Sequence, residues 1–359
     1  MEDRRATERL LIVSDTLPPD PNGIALIALH TAELLALRAD VHLVGPVGAH
    51  VPPSVRYSGV RRLPIGTPDL HLPRPAMRLV ADAVAAADRV VVHTLGPLGC
   101  LALRDARRMG KHSTLFRHND YPSLLRYGLP RTPVTPLVNR IAERLERWAD
   151  GAATRVVAPW GTPRDGYEVL HLDPPRYSGA APATNGNGHV TVAYHGRVSR
   201  EKAVDATVRA INAADPQHRR LRFRIVGDGS QLAATLHLAD SLGVPVEHVP
   251  WCAEPRAALS SAQIYVTASR IETFSMTTLE AIGCGLPIIA RSVGQIASYV
   301  HHDVNGLLFE SDEQLAPLLA TLAGDANARH RLAAEAQASS TDRTLWDQFA
   351  EASLAGVAH

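Results

Sequence analysis

Four charged side chains stand in two short polar segments and could together hold an anion that carries hydroxyl groups. Arg197 and Lys202 lie in Tyr194-His-Gly-Arg-Val-Ser-Arg-Glu-Lys202, and Glu272 and Glu280 lie eight residues apart in Glu272-Thr-Phe-Ser-Met-Thr-Thr-Leu-Glu280. Arginine offers a planar fork of donors and lysine a point charge, so both suit phosphate. Carboxylates accept hydrogen bonds from hydroxyls and repel phosphate. These residue types predict a ligand with a negative centre and hydroxyls on either side.

Lysine is rare in this chain, which makes Lys202 informative. Of the 37 cationic side chains 35 are arginine, and Lys111 is the other lysine. In the same segment Gly196 allows a tight backbone turn beside a ligand. The alternative interpretation is a surface loop in which Arg200 and Glu201 are solvated ions.

The elements that must position these side chains are a buried strand before each segment and a helix after the second. Val190–Tyr194 and Ile264–Thr267 are the strands, and the helix begins at about Met276. Backbone N–H groups around Phe274, Ser275, Met276 and Thr277 open that helix and form a further anion site. The alternative is a helix that Thr277 and Thr278 merely cap, with Glu280 in solvent.

Weaker signals follow other strands. Gly227-Asp-Gly229-Ser is not a dinucleotide fingerprint, because Leu232 stands where the third glycine belongs, so an NAD or FAD enzyme is disfavoured. Gly23 begins the first helix and could approach a ligand closely, or serve as a plain turn. His93 and the run Arg117-His118-Asn119-Asp120 end two strands and predict a polar cleft wall, with structural histidines as the alternative.

The whole chain alternates short β-branched runs with helical patterns, which is typical of parallel α/β architecture. A stretch rich in Pro, Gly, Ala and Asn interrupts the alternation and predicts a linker at 174–189. We therefore expect two doubly wound domains facing a cleft, residues 1–173 and residues 190–340. A C-terminal helix, 341–359, is expected to pack back on the first domain.

Composition excludes several classes. A formal net charge of +1 over 359 residues argues against nucleic acid as a partner. Three cysteines without a C-x-x-C pair argue against a disulfide framework or structural zinc, and the chain shows no signal peptide or membrane span, so a soluble cytoplasmic protein is expected. The cations of Leu101–Lys111 (Arg104, Arg107, Arg108 and Lys111) could meet an anionic membrane, although a solvated helix face is favoured. Oligomeric state is left open.

Taken together, the segments resemble the retaining GT-B glycosyltransferases of family 4. The resemblance rests on NG near the N-terminus, HNDYP, HGRVSREK, VGDGS, ETFSMTTLEAIGCGLP and DVNGLLFE, which occur in that family's order. It covers nearly the whole chain and is tightest over residues 190–310. The HNDYP and RYGL segments look most like the branch with GDP-mannose-dependent α-mannosyltransferases and glycolipid glycosyltransferases.

The resemblance implies a role for each matching residue. Arg197 and Lys202 would neutralise the diphosphate of a nucleotide-sugar donor, helped by the N–H groups of Met276 and Thr277. Glu272, with the amides of Phe274 and Ser275, would bind the transferred hexose. The remaining assignments are Glu280 to the ribose, Gly227 and Trp251 to the base, Gly23 to the phosphates, His118 to the sugar beside the anomeric centre, and Asp120 and His93 to the acceptor side.

The reaction implied by the resemblance is transfer of a hexose from a UDP- or GDP-sugar to a hydroxyl of a small molecule or glycolipid, without cofactor or metal. Fixed cations would stabilise the leaving diphosphate where its charge develops. This sequence departs from the family pattern at Ser275 and Ala203, where glycine is common. It also departs at His171-Leu-Asp173-Pro, where the branch usually shows Arg-Gly-Val-Asp.

Three competing interpretations stay open at this point. A pyridoxal-phosphate phosphorylase needs a Schiff-base lysine, and only Lys111 and Lys202 are present. A sugar-nucleotide epimerase of the same fold would consume donor with no acceptor. A non-catalytic scaffold would bind sugar nucleotides or a partner subunit without turnover.

Overall fold

The computed structural model describes residues 8–20, 22–67, 70–118, 135–158, 166–177, 188–252, 256–259 and 261–355. It separates into two compact units. The N-terminal unit comprises Met1–His171 together with Trp346–His359, and the C-terminal unit comprises Leu172–Leu345. The sequence predicts divisions near residues 173 and 340. Of the predicted linker, residues 178–187 lie outside the described residues.

The N-terminal unit is built on a parallel sheet. Its described strands run β3-β2-β1-β6-β7-β8-β9 across the sheet, and β4 and β5 form a separate antiparallel pair. The strands are β1 Arg9–Val13, β2 Asp40–Pro46, β3 Arg56–Val60, β4 Arg62–Thr67, β5 Leu70–Pro73, β6 Arg89–Val92, β7 His112–Phe116, β8 Arg155–Ala158 and β9 Tyr167–Val169. The central strands read as continuous apolar runs because helices cover both faces of such a sheet.

The helices of the N-terminal unit follow the strands in sequence. They are α1 Gly23–Leu35, α2 Met77–Ala86, α3 Pro97–Arg108 and α4 Thr135–Ala152, with α12 Leu345–Leu354 at the end of the chain. Asn22 caps α1 by accepting a hydrogen bond from the N–H of Ala25 at 2.9 Å. The buried ring of Phe349 brings α12 into this unit's core, where it lies 6.0 Å from Phe116 between ring centroids.

The C-terminal unit is a second doubly wound domain. Its described strands are all parallel and run β12-β11-β10-β13-β14-β15. They are β10 Val190–His195, β11 Leu221–Val226, β12 Val246–Val249, β13 Ile264–Thr267, β14 Ile288–Arg291 and β15 Gly306–Phe309. Its helices are α5 Val204–Ala214, α6 Leu232–Leu242, α7 Arg256–Leu259, α8 Met276–Gly283, α9 Ile296–Tyr299, α10 Asp312–Gly324 and α11 Ala326–Ala338.

Strand order fixes where a ligand can bind in each unit. In the C-terminal unit the order reverses between β10 and β13, and in the N-terminal unit it reverses between β1 and β6. Loops that leave the carboxyl ends of two such strands diverge to opposite faces and open a crevice, which is the usual ligand site of this fold. The loop with Arg197 and Lys202 leaves β10, and the loop with Glu272 leaves β13. His93 directly follows β6, whereas Gly227 and His118 follow the neighbouring strands β11 and β7.

The predicted elements are confirmed within one or two residues at most ends. Two short edge strands, β3 and β15, were not predicted from the sequence. β3 lacks an apolar run, since its residues are Arg-Tyr-Ser-Gly-Val. The helix predicted at Leu101–Lys111 ends at Arg108. Beyond it, the ammonium of Lys111 donates to the carbonyl oxygens of Ala85 and Ala87 at 3.2 and 2.7 Å, so this cation is committed to the fold. Arg104 likewise forms two hydrogen bonds with Asp105.

Candidate active site

The loops after β10 and β13 carry the candidate site of the C-terminal unit. After β10 the chain turns at Gly196, whose φ of 139° belongs to a region that side chains rarely adopt. A glycine is also required at Gly227, because a Cβ there would overlap the carbonyl oxygen of Gly196. The two turns therefore pack backbone against backbone, and this fixes the start of the cationic loop.

Lys202 is paired with Glu272 across the switch point. The Nζ of Lys202 lies 2.7 Å from Oε1 of Glu272, and the two side chains are 22% and 8% exposed. Lys202 ends a single 3-10 turn, Arg200–Lys202, and Glu272 lies in the loop before α8. The structure thus brings together the predicted phosphate lysine and the predicted sugar carboxylate, which are 70 residues apart in sequence.

Arg197 forms a second ion pair with Glu201. One guanidinium nitrogen lies 2.9 Å from Oε1 of Glu201, and the hydroxyl of Ser199 donates to the same oxygen at 2.6 Å. Burial raises the pKa of Glu201, but Arg197 and the Ser199 hydroxyl outweigh it and leave that pKa below its ordinary value. The interpretation of Glu201 as a solvated ion is wrong, because the residue is buried. Arg200 is exposed, as that interpretation expected.

Helix α8 begins next to the turn at Gly196, where a Cβ would lie 3.8 Å from Cγ2 of Thr277. Ser275 precedes it with φ 47°, and its carbonyl oxygen accepts from the N–H groups of Thr278 and Leu279. The N–H groups of Met276 and Thr277 belong to the first turn, where a helix supplies no carbonyl partner. The alternative interpretation, in which both threonines cap the helix, is wrong for Thr277, because its hydroxyl accepts a hydrogen bond from the Tyr265 hydroxyl at 3.0 Å. The Thr278 hydroxyl pairs with that of Ser275 at 2.8 Å.

Glu280 lies one helical turn further on and faces His195. Its Oε2 is 3.3 Å from Nδ1 of His195, and neither atom makes a well-formed hydrogen bond to another described residue. Two buried polar atoms that remain unsatisfied carry a free-energy cost, which a ligand with hydroxyl groups would remove. The placement of Glu280 in solvent is wrong, because its side chain is 15% exposed. His195 was missed by the sequence reasoning, although it directly precedes Gly196 in the segment that drew attention.

The turn after β11 connects to the segment that holds Trp251. Oδ2 of Asp228 accepts from the N–H of Trp251 at 2.6 Å, while the indole itself is 39% exposed. Strand β12 ends at Val249, so Trp251 lies on the loop that follows it. A half-exposed aromatic ring beside a glycine-rich turn is suited to stack on a flat base.

Another missed residue shapes the Glu272 loop. A Cβ on Gly294, with φ 59°, would overlap the carbonyl oxygen of Glu272. The next residue, Gln295, donates its N–H to the carbonyl of Thr273 at 3.0 Å. The loop after β14 thereby holds the Glu272 backbone in place, and a glycine in Ser292-Val-Gly-Gln is the signal that could have found it.

In the N-terminal unit the predicted histidines stack on one another. Nδ1 of His93 lies 2.9 Å from Nε2 of His118, both side chains are buried, and His93 also stacks on Phe116 with 5.0 Å between ring centroids. Burial lowers the pKa of His93 to about 3 and holds that of His118 well below its ordinary value. This end of the sheet therefore presents uncharged imidazoles.

The remaining predicted residues of this unit fall at separate places. Gly23 is exposed at the first turn of α1. Asp120 lies outside the described residues. A carboxylate that was not predicted, Asp15, is buried at the switch point and accepts hydrogen bonds from Leu98 N at 2.7 Å and the Thr94 hydroxyl at 2.6 Å. Burial raises the pKa of Asp15.

The described residues show neither a metal-binding cluster nor a helix able to cross a membrane. Among them, no three or more His, Cys, Asp or Glu side chains are arranged to hold a metal ion. Within the same residues, no helix has the length and apolar character that crossing a bilayer requires.

Sequence comparison places the candidate site inside a known family region. A family model described as glycosyl transferases group 1 matches residues 189–325. A GDP-mannose-dependent alpha-mannosyltransferase of Mycobacterium tuberculosis (strain CDC 1551 / Oshkosh) is 26% identical over 339 residues, which is 85% of this chain and 84% of the relative. A D-inositol 3-phosphate glycosyltransferase of Geodermatophilus obscurus is 36% identical over 137 residues, 34% of this chain and 30% of the relative.

Solved structures share the fold over nearly the full length. HepE (Alr3699) of Anabaena, crystallised with UDP and glucose, has a TM-score of 0.72 at 18% identity and covers 97% of this chain and 99% of its own. WaaG, a glycosyltransferase involved in lipopolysaccharide biosynthesis, has a TM-score of 0.72 at 17% identity and covers 97% and 100%. The predicted fold class, two doubly wound α/β domains, is confirmed.

Proposed function

We propose that the chain is a GT-B glycosyltransferase of group 1 that transfers a hexose, with retention at the anomeric carbon, from a UDP- or GDP-sugar to an acceptor hydroxyl. The acceptor in this proposal is a small molecule or a glycolipid. The observation that carries the proposal is the contact of Lys202 with Glu272, on a loop that also holds Arg197 and that leaves β10 at Gly196, next to Thr277 in the first turn of α8.

The cations serve the leaving group. Breaking the bond between sugar and phosphate adds negative charge to the diphosphate, and groups that already point at that position stabilise the transition state more than the ground state. Arg197 and Lys202 supply two positive charges, and the N–H groups of Met276 and Thr277 supply donors at the positive end of a helix. Both cations would shift from carboxylates to phosphate oxygens when the donor binds.

The carboxylates serve the sugars. Glu272 accepts hydrogen bonds from hydroxyls of the transferred hexose, and the main-chain amides of Phe274 and Ser275 face the same sugar. Glu280, whose Oε2 lacks a well-formed hydrogen bond within the described residues, accepts from the ribose. Gly227 and Trp251 receive the base. Glu272 holds the sugar in place and is not a covalent nucleophile, since the donor's own phosphate oxygen takes the acceptor proton in this proposal.

The N-terminal unit contributes the acceptor side. His118 is assigned to the transferred sugar, Gly23 to the phosphates, and His93 and Asp120 to the acceptor. An uncharged His118 offers one donor and one acceptor nitrogen, which suits hydrogen bonding to hydroxyls.

A donor panel tests the proposal. Thermal unfolding is measured with UDP-, GDP- and dTDP-hexoses, and a donor at a hundred times its Kd stabilises the fold by about 2.7 kcal/mol. That corresponds to roughly 5–11 °C in Tm for a domain of this size. A uridine or guanosine monophosphate serves as the control and gives a smaller shift. No shift with any nucleotide sugar contradicts the proposal.

Product analysis separates the proposal from its rivals. With donor and acceptor present, the anomeric coupling in the product reports retention or inversion. Consumption of donor without acceptor would instead indicate an epimerase, and binding without any turnover would indicate a scaffold. We expect addition of EDTA to leave the rate unchanged, because side chains supply the positive charge; loss of activity that Mg²⁺ or Mn²⁺ restores contradicts this.

A further inference from the structure

Lys202 and Glu272 neutralise each other in the structure, and both belong to the proposed donor site. We propose that this pair lets the enzyme distinguish its donor from its own product: Glu272 disfavours a nucleoside diphosphate that has lost its sugar. The inference rests on the proposed function and adds to it a role for Glu272 in product release.

The Glu272 carboxylate would be nearly buried and without its ion-pair partner if Lys202 moved away. Its side chain is 8% exposed, and within the described residues its ion-pair partner is Lys202, at 2.7 Å. Gly294 packs on the Glu272 carbonyl, and Gln295 is hydrogen bonded to the residue after it. The backbone is therefore held at this position, and the carboxylate starts from a nearly buried place. A buried charge without a partner is unfavourable.

Ligands with and without the hexose therefore leave Glu272 in different states. Either ligand draws Lys202 toward its phosphates, because the diphosphate carries more negative charge than one carboxylate. A sugar nucleotide then offers hexose hydroxyls, which donate hydrogen bonds to Glu272. A bare nucleoside diphosphate offers none and brings its own negative charge near the carboxylate. The product is thus bound less well than the donor, which favours its release after transfer.

Glu201 provides a matched control. It is a second carboxylate paired with a cation of the same site, at 2.9 Å from Arg197, but its Oε1 also accepts from the Ser199 hydroxyl, and the proposed function assigns it no contact with the hexose. Removing its charge alters the affinity for donor and product by the same factor. The ratio of the two dissociation constants separates the roles of the two carboxylates.

The experiment is calorimetry on the full chain with the nucleoside diphosphate and the nucleoside-diphosphate hexose selected by the donor panel. We expect Glu272→Gln to bind the nucleoside diphosphate at least tenfold more tightly than the wild type does. In the same variant the preference for the sugar nucleotide falls at least tenfold, whereas Glu201→Gln keeps the wild-type ratio within about twofold. Unchanged or weaker nucleoside diphosphate binding by Glu272→Gln overturns the inference.

A failure of the proposed function gives a different result, because the wild type would then bind neither ligand. Should Glu272→Gln fail to fold, Glu272→Asp keeps the charge, and we expect it to retain the weak binding of the nucleoside diphosphate while losing affinity for the sugar nucleotide. Tighter binding of the diphosphate by Glu272→Asp would contradict the inference.

A direct readout of the pair is available because the chain has two lysines. Selective ¹⁵N labelling of lysine gives side-chain ammonium signals from Lys111 and Lys202, and Lys111→Arg assigns them. We expect the Lys202 signal to move on addition of the nucleoside diphosphate and to differ in Glu272→Gln without ligand. A Lys202 signal that is unaffected by both changes overturns the inference.

Discussion

The carboxyl edges of the two sheets have the same topology and opposite chemistry. At the switch point of the C-terminal unit, Lys202 and Arg197 are charged, partly exposed and paired with carboxylates. At the switch point of the N-terminal unit, His93 and His118 are buried and uncharged. One edge holds charges that can change partners, and the other holds neutral hydrogen-bonding groups.

The proposed function accounts for the difference, because it assigns a different ligand to each edge. A diphosphate brings several negative charges, and a cation that is paired with a carboxylate can move to it where new hydrogen-bond donors replace the cation at that carboxylate. Uncharged imidazoles instead suit hydroxyls, for which a fixed charge is unnecessary. The same strand order therefore serves two kinds of ligand, and side chains at the strand ends decide between them.

The largest effect is expected where the charged edge loses a cation. Lys202→Ala and Arg197→Ala each lower kcat/KM at least tenfold, because each removes a charge that stabilises the leaving diphosphate. Steady-state kinetics with the donor identified by the panel measure the change. Arg209→Ala, on the exposed face of α5 in the same unit, is the control and retains wild-type kcat/KM.

A kcat/KM near the wild-type value in both variants would show that the two cations do not contribute to catalysis. A change in KM alone, with kcat retained, would show that the cations bind the donor without stabilising the transition state.

An intermediate effect is expected on stability when the pH is lowered, because His93 is buried and uncharged in the folded protein. His93 has a folded-state pKa of about 3, below the ordinary value of 6.5, so between these pH values the unfolded chain binds a proton that the folded chain does not. Stability is therefore lost as pH falls below about 6.5. At pH 5 the loss from His93 is about 2 kcal/mol. We expect Tm to fall by several degrees between pH 7 and pH 5.

His93→Phe tests that origin, because phenylalanine can still stack on Phe116 and cannot titrate. We expect a smaller fall in Tm between pH 7 and pH 5 in this variant, even if its Tm at pH 7 is lower. His50→Gln, which replaces an exposed histidine of the same unit, leaves the pH dependence unchanged. An equal fall in wild type and His93→Phe would contradict the assignment.

The smallest effect concerns the backbone beside the charged edge. Ala203 follows the phosphate lysine with φ 48°, a left-handed conformation that is unfavourable for a residue with a Cβ by roughly 1–2 kcal/mol. Ala203→Gly removes this strain but increases the freedom of the unfolded chain, which leaves a net gain of about 1 kcal/mol or less. Thermal unfolding should show a rise of a few degrees in Tm.

Ser275→Gly is the comparison for that variant. Its φ of 47° is strained in the same way, but its hydroxyl pairs with Thr278 at 2.8 Å, and glycine would lose that hydrogen bond. We expect a smaller gain than for Ala203→Gly. A fall in Tm on Ala203→Gly would show that the left-handed turn is not strained.

The sequence was sufficient to predict the fold, whereas the role of the charged residues as a ligand site stays a prediction. Alternation of strands and helices predicted both domains, and the polar segments after two strands predicted that Arg197, Lys202 and Glu272 share one edge. These predictions succeed because periodicity and strand order are local properties that place loops at known positions. The two positions where the family pattern expects glycine, Ala203 and Ser275, both keep the left-handed backbone for which glycine is suited.

The pairing of individual side chains could not be predicted. Lys202 contacts Glu272, 70 residues away, and this depends on how two loops pack. His93 meets His118 because β6 and β7 pair with Val92 opposite Leu115, which a sequence does not reveal. The alternative interpretation of Glu201 as a solvated ion could not be rejected from the sequence, since nothing in a short charged run distinguishes a buried acid from a solvated one.

The N-terminal unit takes its last pieces from the far end of the chain. Phe349 packs against His118 with 5.7 Å between ring centroids, and the guanidinium of Arg155 donates to the carbonyl of Ala352. During synthesis the ribosome delivers residues 346–354 after all of the C-terminal unit. The domain that is synthesised first is therefore completed last, because Phe349 reaches its histidine-lined edge only after the C-terminal unit has been synthesised.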